Sequence, residues 1–420
     1  MITHIKKKFF LHKSAIAGVS FLSLGNIFTA IVGLLITIVL ANHISVNDFG
    51  NYKYVYSIVG ILGIFNLTGG YRNVVLQTAS RGMDGAALHI HNKKFILGAP
   101  MIVSSIILSI YYFYNDNYFL SLSILIISIC TLFYTDGLIS SSYLNGKKEY
   151  KKLFFITASV SLVNIISIFV AIYLKKNLLT IISINTVSIA LVSVASFYYV
   201  KNNFFTNTQI DKKILHYGKH LNILGVLSTI MQYIDSVLIF SLLGSQSLAI
   251  FAIATPFVDR IMGFFKILYF YFLPKYTEHG SIKSKSGLYK RSFYLFIFGI
   301  LIYGIYFAIA PFIIPLLFPK YSESIGLSLL FALNIPFFAA SILPSAYLDS
   351  LIEVRKKYII QSINFIVRIT TIFIFIKLYG VVGVIWSEIL TRIISICAVL
   401  IIINTKKNGT REHAVSSVDF

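Results

Sequence analysis

The stretch FAIATPFVDRIMGFFKILYFYF, residues 251–272, places Asp259, Arg260 and Lys266 in an otherwise apolar sequence. An arginine can bind a phosphate or carboxylate through two parallel hydrogen bonds, whereas a carboxylate can bind a proton or a cation. Asp259 and Lys266 are seven residues apart and share one face of a helix, while Arg260 is rotated by about 100° from Asp259. We expect Arg260 to face a substrate cavity and Asp259 to pair with a base or exchange a proton. Lys266 either faces the same cavity or extends its amine to the lipid headgroups.

Other apolar stretches also contain isolated charges. Arg368 has no carboxylate at helical spacing, so any acidic partner has to come from another helix. Glu388 and Arg392 are four residues apart with the acid first, the order that favours an ion pair within one helix. Asp235 has no basic residue within one helical turn, and it could bind a proton or cation or pair with Arg260. The full candidate set comprises substrate-binding bases (Arg260, Lys266, Arg368, Arg392) and ion-coupling or cavity acids (Asp136, Asp235, Asp259, Glu388).

These charges suggest a transport pathway. A charge at the centre of a bilayer costs at least about 2.5–3.5 kcal/mol, so such residues usually face an aqueous cavity. Equal numbers of bases and acids do not identify the charge of the cargo. Because three of the four bases are arginines, an anion such as a phosphate or carboxylate is favoured. For Glu388 with Arg392, a self-neutralised pair that packs a helix bundle is the alternative.

The charges are conspicuous because the chain is strongly apolar: 57% of its 420 residues are hydrophobic and 12% are charged. About a quarter of the residues of a soluble protein are charged. Apolar runs of roughly 18–28 residues recur, each long enough to cross a hydrocarbon layer about 30 Å thick. The composition therefore predicts an all-α, multi-pass membrane protein. Cys130 and Cys397 lie in apolar runs without metal or redox spacing, so neither a disulfide nor a metal site is expected.

Twelve membrane spans are predicted from these runs. Their bounds are 18–40, 52–71, 95–114, 118–144, 153–174, 178–200, 220–243, 248–273, 292–319, 323–352, 358–376 and 380–403. The first run is too long for the apolar core of a cleavable signal peptide.

Lysine and arginine are distributed unevenly over the predicted loops. If both termini face the cytoplasm, the cytoplasmic segments carry 27 of these residues and the outer loops carry 5. This bias predicts cytoplasmic termini. It also accounts for the net charge of +21 without a nucleic-acid partner, which would require a basic face on a soluble domain.

The two halves of the chain resemble each other. YKKLFFITASVSLVNIISIF (150–169) is similar to RKKYIIQSINFIVRITTIF (355–373) at an offset of 205, and the first predicted hairpin is weakly similar to the seventh. A repeat of six spans predicts two parallel lobes, residues 1–202 and 203–420, related by an axis normal to the membrane. A cleft between two such lobes can open alternately to each side, which is a transporter architecture.

No enzyme motif is found in the sequence: it has no phosphate-binding loop, nucleophile elbow or metal-spaced histidine cluster. We expect neither enzymatic activity nor a cofactor. Active transport would then depend on an ion gradient or on the gradient of the substrate itself. His89 and His91 fall in a predicted basic loop, 72–94, where solvated side chains are expected.

Three segments carry a resemblance to a known family. They are LANHISVNDFGNYKYVYSIVGIL in the first hairpin, YIDSVLIFSLLGSQSLAIFAIATPF in the seventh, with Asp235 ahead of the turn, and APFIIPLLFPKYSES at the end of the ninth span. With these segments the chain resembles, over nearly its whole length, bacterial polysaccharide flippases of the O-antigen translocase type. Those proteins share a superfamily with the multidrug and toxin extrusion (MATE) antiporters.

The resemblance implies twelve helices in two six-helix lobes arranged as a V, with a cationic central cavity. It implies that an undecaprenyl-pyrophosphate-linked oligosaccharide moves from the cytoplasmic to the outer leaflet of the bacterial inner membrane. Membrane lipids, a glycan polymerase and chain-length proteins are the implied partners, and nucleic acid is not. An ion-coupled multidrug or metabolite antiporter is the nearest alternative, with Asp235 or Asp259 as its proton site. An integral-membrane glycan polymerase or ligase is disfavoured because the predicted outer loops are short.

Overall fold

The computed structural model describes residues 2–66, 70–278, 285–351 and 354–405. Within these ranges the chain forms fourteen α-helices and one short 3-10 helix, Gly63–Phe65, and no β-strand. The all-α prediction is confirmed. The chain divides into two compact units, Met1–Ala249 and Ile250–Phe420, called the first and second unit below.

The first unit contains eight complete helices and the beginning of a ninth. They are α1 (Ile2–His43), α2 (Val46–Leu62), α3 (Tyr71–Ser80), α4 (Gly85–Tyr114), α5 (Tyr118–Gly146), α6 (Tyr150–Tyr173), α7 (Leu178–Phe204), α8 (Lys212–Leu243) and α9 (Ser245–Ala254).

Side-chain caps fix where several of these helices begin. The Asn117 side chain accepts a hydrogen bond from the Leu120 amide at 3.1 Å, and Asn177 accepts one from the Thr180 amide at 2.9 Å. Such caps satisfy backbone N–H groups that have no partner in the first helical turn. The turns between α4 and α5 and between α6 and α7 therefore need only a few residues.

The second unit contains the end of α9 and five further helices. They are α10 (Pro256–Glu278), α11 (Lys285–Leu317), α12 (Ser324–Ala332), α13 (Asn334–Ser350) and α14 (Val354–Thr405). The predicted span 248–273 is divided at Thr255, because Pro256 has no backbone N–H and is suited to the first position of a new helix.

Helix α14 is a hairpin of two arms. Gly380 has φ 60° and ψ −137°, a backbone conformation that L side chains rarely adopt. A Cβ at Gly383 would lie 1.9 Å from the Phe375 carbonyl oxygen, so the two arms are in close contact beside the turn. Further along, the Asn364 amide donates to the Ser395 hydroxyl at 3.0 Å. The predicted spans 358–376 and 380–403 correspond to these arms.

Ten helical segments among the described residues are long and apolar enough to cross a membrane. Helix α14 contributes one of these, Tyr358–Asn404, and α2 is only 17 residues long. Large apolar side chains such as Ile96, Leu191 and Phe312 are 66–77% exposed, as expected for surfaces that face lipid. The protein is a multi-pass membrane protein. The count of twelve spans, the repeat, the cytoplasmic termini and the lobe boundary at 202/203 remain predictions.

A buried apolar cluster holds one end of the first unit together. It joins α3 through Val75, α4 through Ile90, α5 through Tyr143 and α7 through Phe197, all of them nearly inaccessible. The prediction of one solvated loop over 72–94 is wrong. Residues 71–80 form α3, and α4 already begins at Gly85, because the helix continues well beyond its apolar centre.

Candidate functional site

Arg392, on the second arm of α14, contacts residues of two helices. Its Nη2 donates to Glu388 Oε1 at 2.9 Å, which is the intrahelical pair that the spacing of four residues predicts. Its Nε donates to Asn334 Oδ1 at 3.1 Å, and its guanidinium carbon lies 5.0 Å from the centre of the Phe338 ring. Asn334 and Phe338 belong to α13, so Arg392 is fixed between two helices.

Arg368 lies on the first arm of α14 and is only 3% exposed. Its Nη1 donates to the Val384 carbonyl at 3.2 Å and to the Ser387 hydroxyl at 3.1 Å. Its Nη2 lies 3.7 Å from Glu388 Oε2. Arg368 therefore has an acidic partner on the opposite arm. The Glu388 carboxylate interacts with the guanidinium groups of both Arg368 and Arg392.

Asp259, Arg260 and Lys266 lie on α10, and the side chains of all three are exposed. Asp259 is in the first turn of the helix, where the helix dipole favours a negative charge. It interacts electrostatically with Glu388 and Arg392 of α14 as well as with Arg260 and Lys266 on its own helix. The sequence offered no signal for this link between α10 and α14.

Six candidate residues of the second unit are thus linked by ion pairs within α14 or by longer-range charge interactions between α10 and α14, and we call them the cationic cluster. Its members are Asp259, Arg260, Lys266, Arg368, Glu388 and Arg392. The remaining candidates, Asp136 and Asp235, belong to the first unit. Bases and acids that are equal in number along the sequence are therefore unequal in space: the cluster contains four bases and two acids. Such a group favours an anionic ligand.

Asp136, on α5, is fully buried and ion-paired inside the first unit. His91 Nδ1 lies 2.8 Å from Oδ1, and the Lys94 ammonium contacts Oδ2. The His91 ring also stacks on Phe197, with centroids 3.9 Å apart and an angle of 10°. The expectation of a solvated His91 is wrong. Lys94 and His91 are three residues apart on α4 and face the same neighbour, a spacing that becomes informative only once the helix is known to begin before them.

Asp235 lies on α8 of the first unit and is half-buried. Its role as an ion-coupling acid remains a prediction, as does the role of every member of the cationic cluster.

Asp84 is a polar residue that the sequence did not identify. It is inaccessible to solvent and lies between α3 and α4. Its carboxylate accepts hydrogen bonds from the Tyr143 hydroxyl at 2.8 Å and the Thr206 amide at 2.8 Å, and Lys147 Nζ lies 3.1 Å away. Burial alone would raise the pKa of Asp84, but these hydrogen bonds and the Lys147 charge outweigh it and hold the pKa below its ordinary value.

The Asp84 contacts anchor the segment that follows α7. Besides Thr206, the Asn207 amide lies 3.3 Å from the carboxylate, and the Gly85 amide donates to the Gln209 carbonyl at 3.0 Å. A Cβ at Gly85 would lie 2.2 Å from the Thr208 carbonyl oxygen, so only glycine permits this approach. The connection from α7 to α8 is thereby fastened to the start of α4.

Comparison with known proteins gives one family match by sequence. The profile of the family described as "Polysaccharide biosynthesis protein" matches residues 15–269. No curated protein sequence matches the chain significantly.

Several solved structures share the fold over nearly the whole chain. An inward-facing multidrug resistance MATE family transporter of the MOP superfamily has a TM-score of 0.70 at 13% identity, over 92% of this chain and 98% of that one. The lipid II flippase MurJ, inward closed, gives 0.68 at 17% identity, over 92% and 87%. The MATE multidrug transporter DinF-BH, solved as a complex, gives 0.67 at 13% identity, over 94% and 96%. These matches show that the chain shares the fold of these proteins, as the resemblance implies.

Proposed function

Since the chain belongs to the polysaccharide biosynthesis protein family, we propose that it is a flippase for lipid-linked oligosaccharides. Its cargo would be a glycan repeat unit on undecaprenyl pyrophosphate, carried from the cytoplasmic to the outer leaflet of the bacterial inner membrane. The glycan would serve an O-antigen, a capsule or a similar surface polysaccharide. The observation that carries this proposal is the excess of bases over acids in the cationic cluster.

A pyrophosphate suits the chemistry of this cluster. Arg260 and Lys266 have exposed side chains, so they would meet an entering anion first. Arg392 is already oriented by Glu388 and Asn334, and it would lose little side-chain freedom on binding. Planar guanidinium groups bind phosphate oxygens through paired hydrogen bonds. The polyprenyl tail would remain in the hydrocarbon layer, so its movement between the leaflets would not require its transfer into water.

The proposed transport cycle uses alternating access. The cargo binds from the cytoplasmic side, a conformational change exposes it to the outer leaflet, and release resets the protein. The reset can use protonation or cation binding at Asp235 or Asp259, since both acids lie within segments long and apolar enough to cross a membrane.

The test is export by variants in a strain that lacks this gene and other flippases of the family. Arg260→Gln should lower export about tenfold or more, as expected from the loss of one or two charge-assisted hydrogen bonds. Lipid-linked repeat units should accumulate inside the cells while protein abundance stays normal. Lys377→Gln is the matched control, because Lys377 is an exposed base of the second unit outside the cluster. Normal export by both Arg260→Gln and Arg392→Gln would contradict the proposal.

The second candidate is an ion-coupled multidrug or metabolite antiporter, favoured by the fold shared with MATE transporters. Such a protein would bind cationic or apolar cargo. A deletion strain with raised drug susceptibility and unchanged surface glycan would favour this function over the flippase.

A further inference from the structure

A cavity of about 210 Å³ lies within the first unit, between α2, α5, α6 and α7. None of the described residues that line it carries a charge, in contrast to the cationic cluster of the second unit. Its polar lining consists of tyrosines, amides and hydroxyls, among them Tyr52, Tyr56, Thr131, Asn164, Asn185 and Thr186.

Two aromatic rings form one wall of the cavity. Tyr52 and Tyr56 are four residues apart on α2, and their ring centroids are 4.7 Å apart at an angle of 49°. Tilted rings present apolar faces with a hydroxyl at the edge of each. The apolar C–H face of a sugar ring packs on such a surface, while its hydroxyl groups reach past the ring to polar neighbours.

The polar neighbours stand in a fixed arrangement. The Asn185 amide donates to Asn164 Oδ1 at 2.8 Å and to the Ser167 hydroxyl at 2.9 Å. The Tyr56 hydroxyl donates to Asn185 Oδ1 at 3.3 Å. The two amides are therefore locked in orientation before any ligand arrives, which lowers the entropy cost of binding.

The threonine hydroxyls are arranged to accept hydrogen bonds. Thr131 donates to the Ile127 carbonyl at 2.8 Å, and Thr186 donates to the Ile182 carbonyl at 2.8 Å. Because each hydroxyl hydrogen is used within its own helix, only the oxygen lone pairs remain for a ligand, and the Thr186 side chain also contacts the Cys130 thiol. A ligand that carries O–H donors can therefore add a hydrogen bond to these oxygens, which an apolar ligand cannot do.

We propose that this cavity, the saccharide cavity, binds one neutral sugar ring of the cargo. Its volume is below the range of roughly 300–1,000 Å³ typical of sites for drug-sized ligands, so a single ring fits better than a whole repeat unit. A pyrophosphate is disfavoured there because no base lines the cavity, and a cationic drug is disfavoured because no acid does. This inference rests on the proposed flippase function and divides recognition of the cargo between an anionic and a neutral part.

The test measures binding of two probes to the full-length protein in nanodiscs. One probe is the intact lipid-linked repeat unit extracted from the source cells, and the other is undecaprenyl pyrophosphate without sugar. The ratio of the two Kd values reports the contribution of the sugar. In the wild type, the intact unit should bind at least about fivefold more tightly, the equivalent of one net hydrogen bond.

Tyr52→Leu and the isosteric Tyr56→Phe should each bring this ratio towards one without changing the Kd for undecaprenyl pyrophosphate. Tyr56→Phe removes only a hydroxyl, so it retains the packing of the unit. Tyr173→Leu, at a tyrosine that is 87% exposed, is the control and should leave both Kd values unchanged. A ratio of one in the wild type, or an unaltered ratio in both cavity variants, would overturn the proposal that this cavity binds a sugar ring of the cargo.

Failure of the proposed function looks different in the same assay. Arg260→Gln should weaken the binding of both probes by the same factor and leave their ratio intact. If undecaprenyl pyrophosphate binds Arg260→Gln and Arg392→Gln as tightly as the wild type, the cationic cluster is not the pyrophosphate site.

Discussion

Arg368 and Glu388 meet across the two arms of α14, with 3.7 Å between Nη2 and Oε2. The same carboxylate accepts a hydrogen bond from Arg392 at 2.9 Å. Glu388 therefore keeps two arginines close together that would otherwise repel each other. An ion pair within a helix is a modest interaction, but one carboxylate between two guanidinium groups sets the geometry of the cluster.

Glu388→Gln should destabilise the second unit more than the loss of one surface pair would. Arg368 is almost completely buried, and its charge would lose the interaction with the Glu388 carboxylate. Breaking a buried pair in this way costs about 3 kcal/mol or more in free energy of unfolding. Thermal or SDS-induced unfolding of the purified protein measures this loss. Adding Arg368→Met to the same chain should recover part of the stability, and no recovery would show that the two residues act independently.

The ion pairs of Asp136 lead to a different prediction. Both of its oxygens are engaged, by His91 and by Lys94. Asp136→Asn alone should lower stability, because the buried Lys94 ammonium loses its partner.

The double variant Asp136→Leu with Lys94→Met tests whether Asp136 also couples transport to an ion. If the pair only holds α4 against α5, the double variant should regain stability and export normally. Restored stability with lost export would instead assign Asp136 to ion coupling, the role predicted from the sequence.

The contacts of Asp84 predict a pH dependence of stability. Its pKa is lower in the folded protein than in the unfolded chain, so the ionised carboxylate stabilises the fold. That contribution is present above the unfolded value of about 4 and is lost as the pH falls through the lower folded value. Near neutral pH, Asp84→Asn should lower the free energy of unfolding by about 2 kcal/mol.

Melting curves of the wild type and Asp84→Asn between pH 7 and pH 3 check this. The difference between the two proteins should shrink as the pH falls. Asp116→Asn, at an exposed aspartate in the turn between α4 and α5, should track the wild type throughout. A stability difference that does not vary with pH would contradict the prediction that the ionised Asp84 carboxylate stabilises the fold.

The close approach at Gly383 provides a test of the α14 hairpin. Gly383→Ala would place its Cβ against the Phe375 carbonyl oxygen, so the two arms would have to separate. We expect reduced stability and reduced export together. Gly263→Ala in α10 is the matched control, since its Cβ would meet no atom within 4 Å. As a helix-interior change, Gly263→Ala should be neutral or stabilising by about 0.5–1 kcal/mol. Equal stability and export of the two variants would contradict the close contact at Gly383.

The sequence was informative where the physical signal is local. The spacing of Glu388 and Arg392 predicted their pair, and hydropathy located the apolar centres of the helices. Its failure at His91 and Lys94 has a physical reason: hydropathy marks the apolar centre of a span, whereas α4 continues past it into a charged end that Asp136 neutralises from another helix.

Long-range polar contacts could not be predicted either, because their partners lie far apart in the sequence. Asp84 and Thr206 are 122 residues apart, and nothing in either neighbourhood indicates the other. The saccharide cavity was missed because Tyr52, Asn164 and Asn185 are uncharged and do not stand out in apolar segments. Neutral polar residues become visible as a site only when four helices bring them together.

The α14 hairpin has a mechanical consequence. Its arms are bonded to each other at several levels, by Asn364 to Ser395, Thr371 to Ser387 and Arg368 to the Val384 carbonyl. Two helices that are hydrogen-bonded at successive positions resist sliding and twisting against each other, so we expect the hairpin to move as one rigid element. If the cargo binds Arg392 as proposed, we therefore expect any displacement of the second arm to be shared by Arg368 on the first arm.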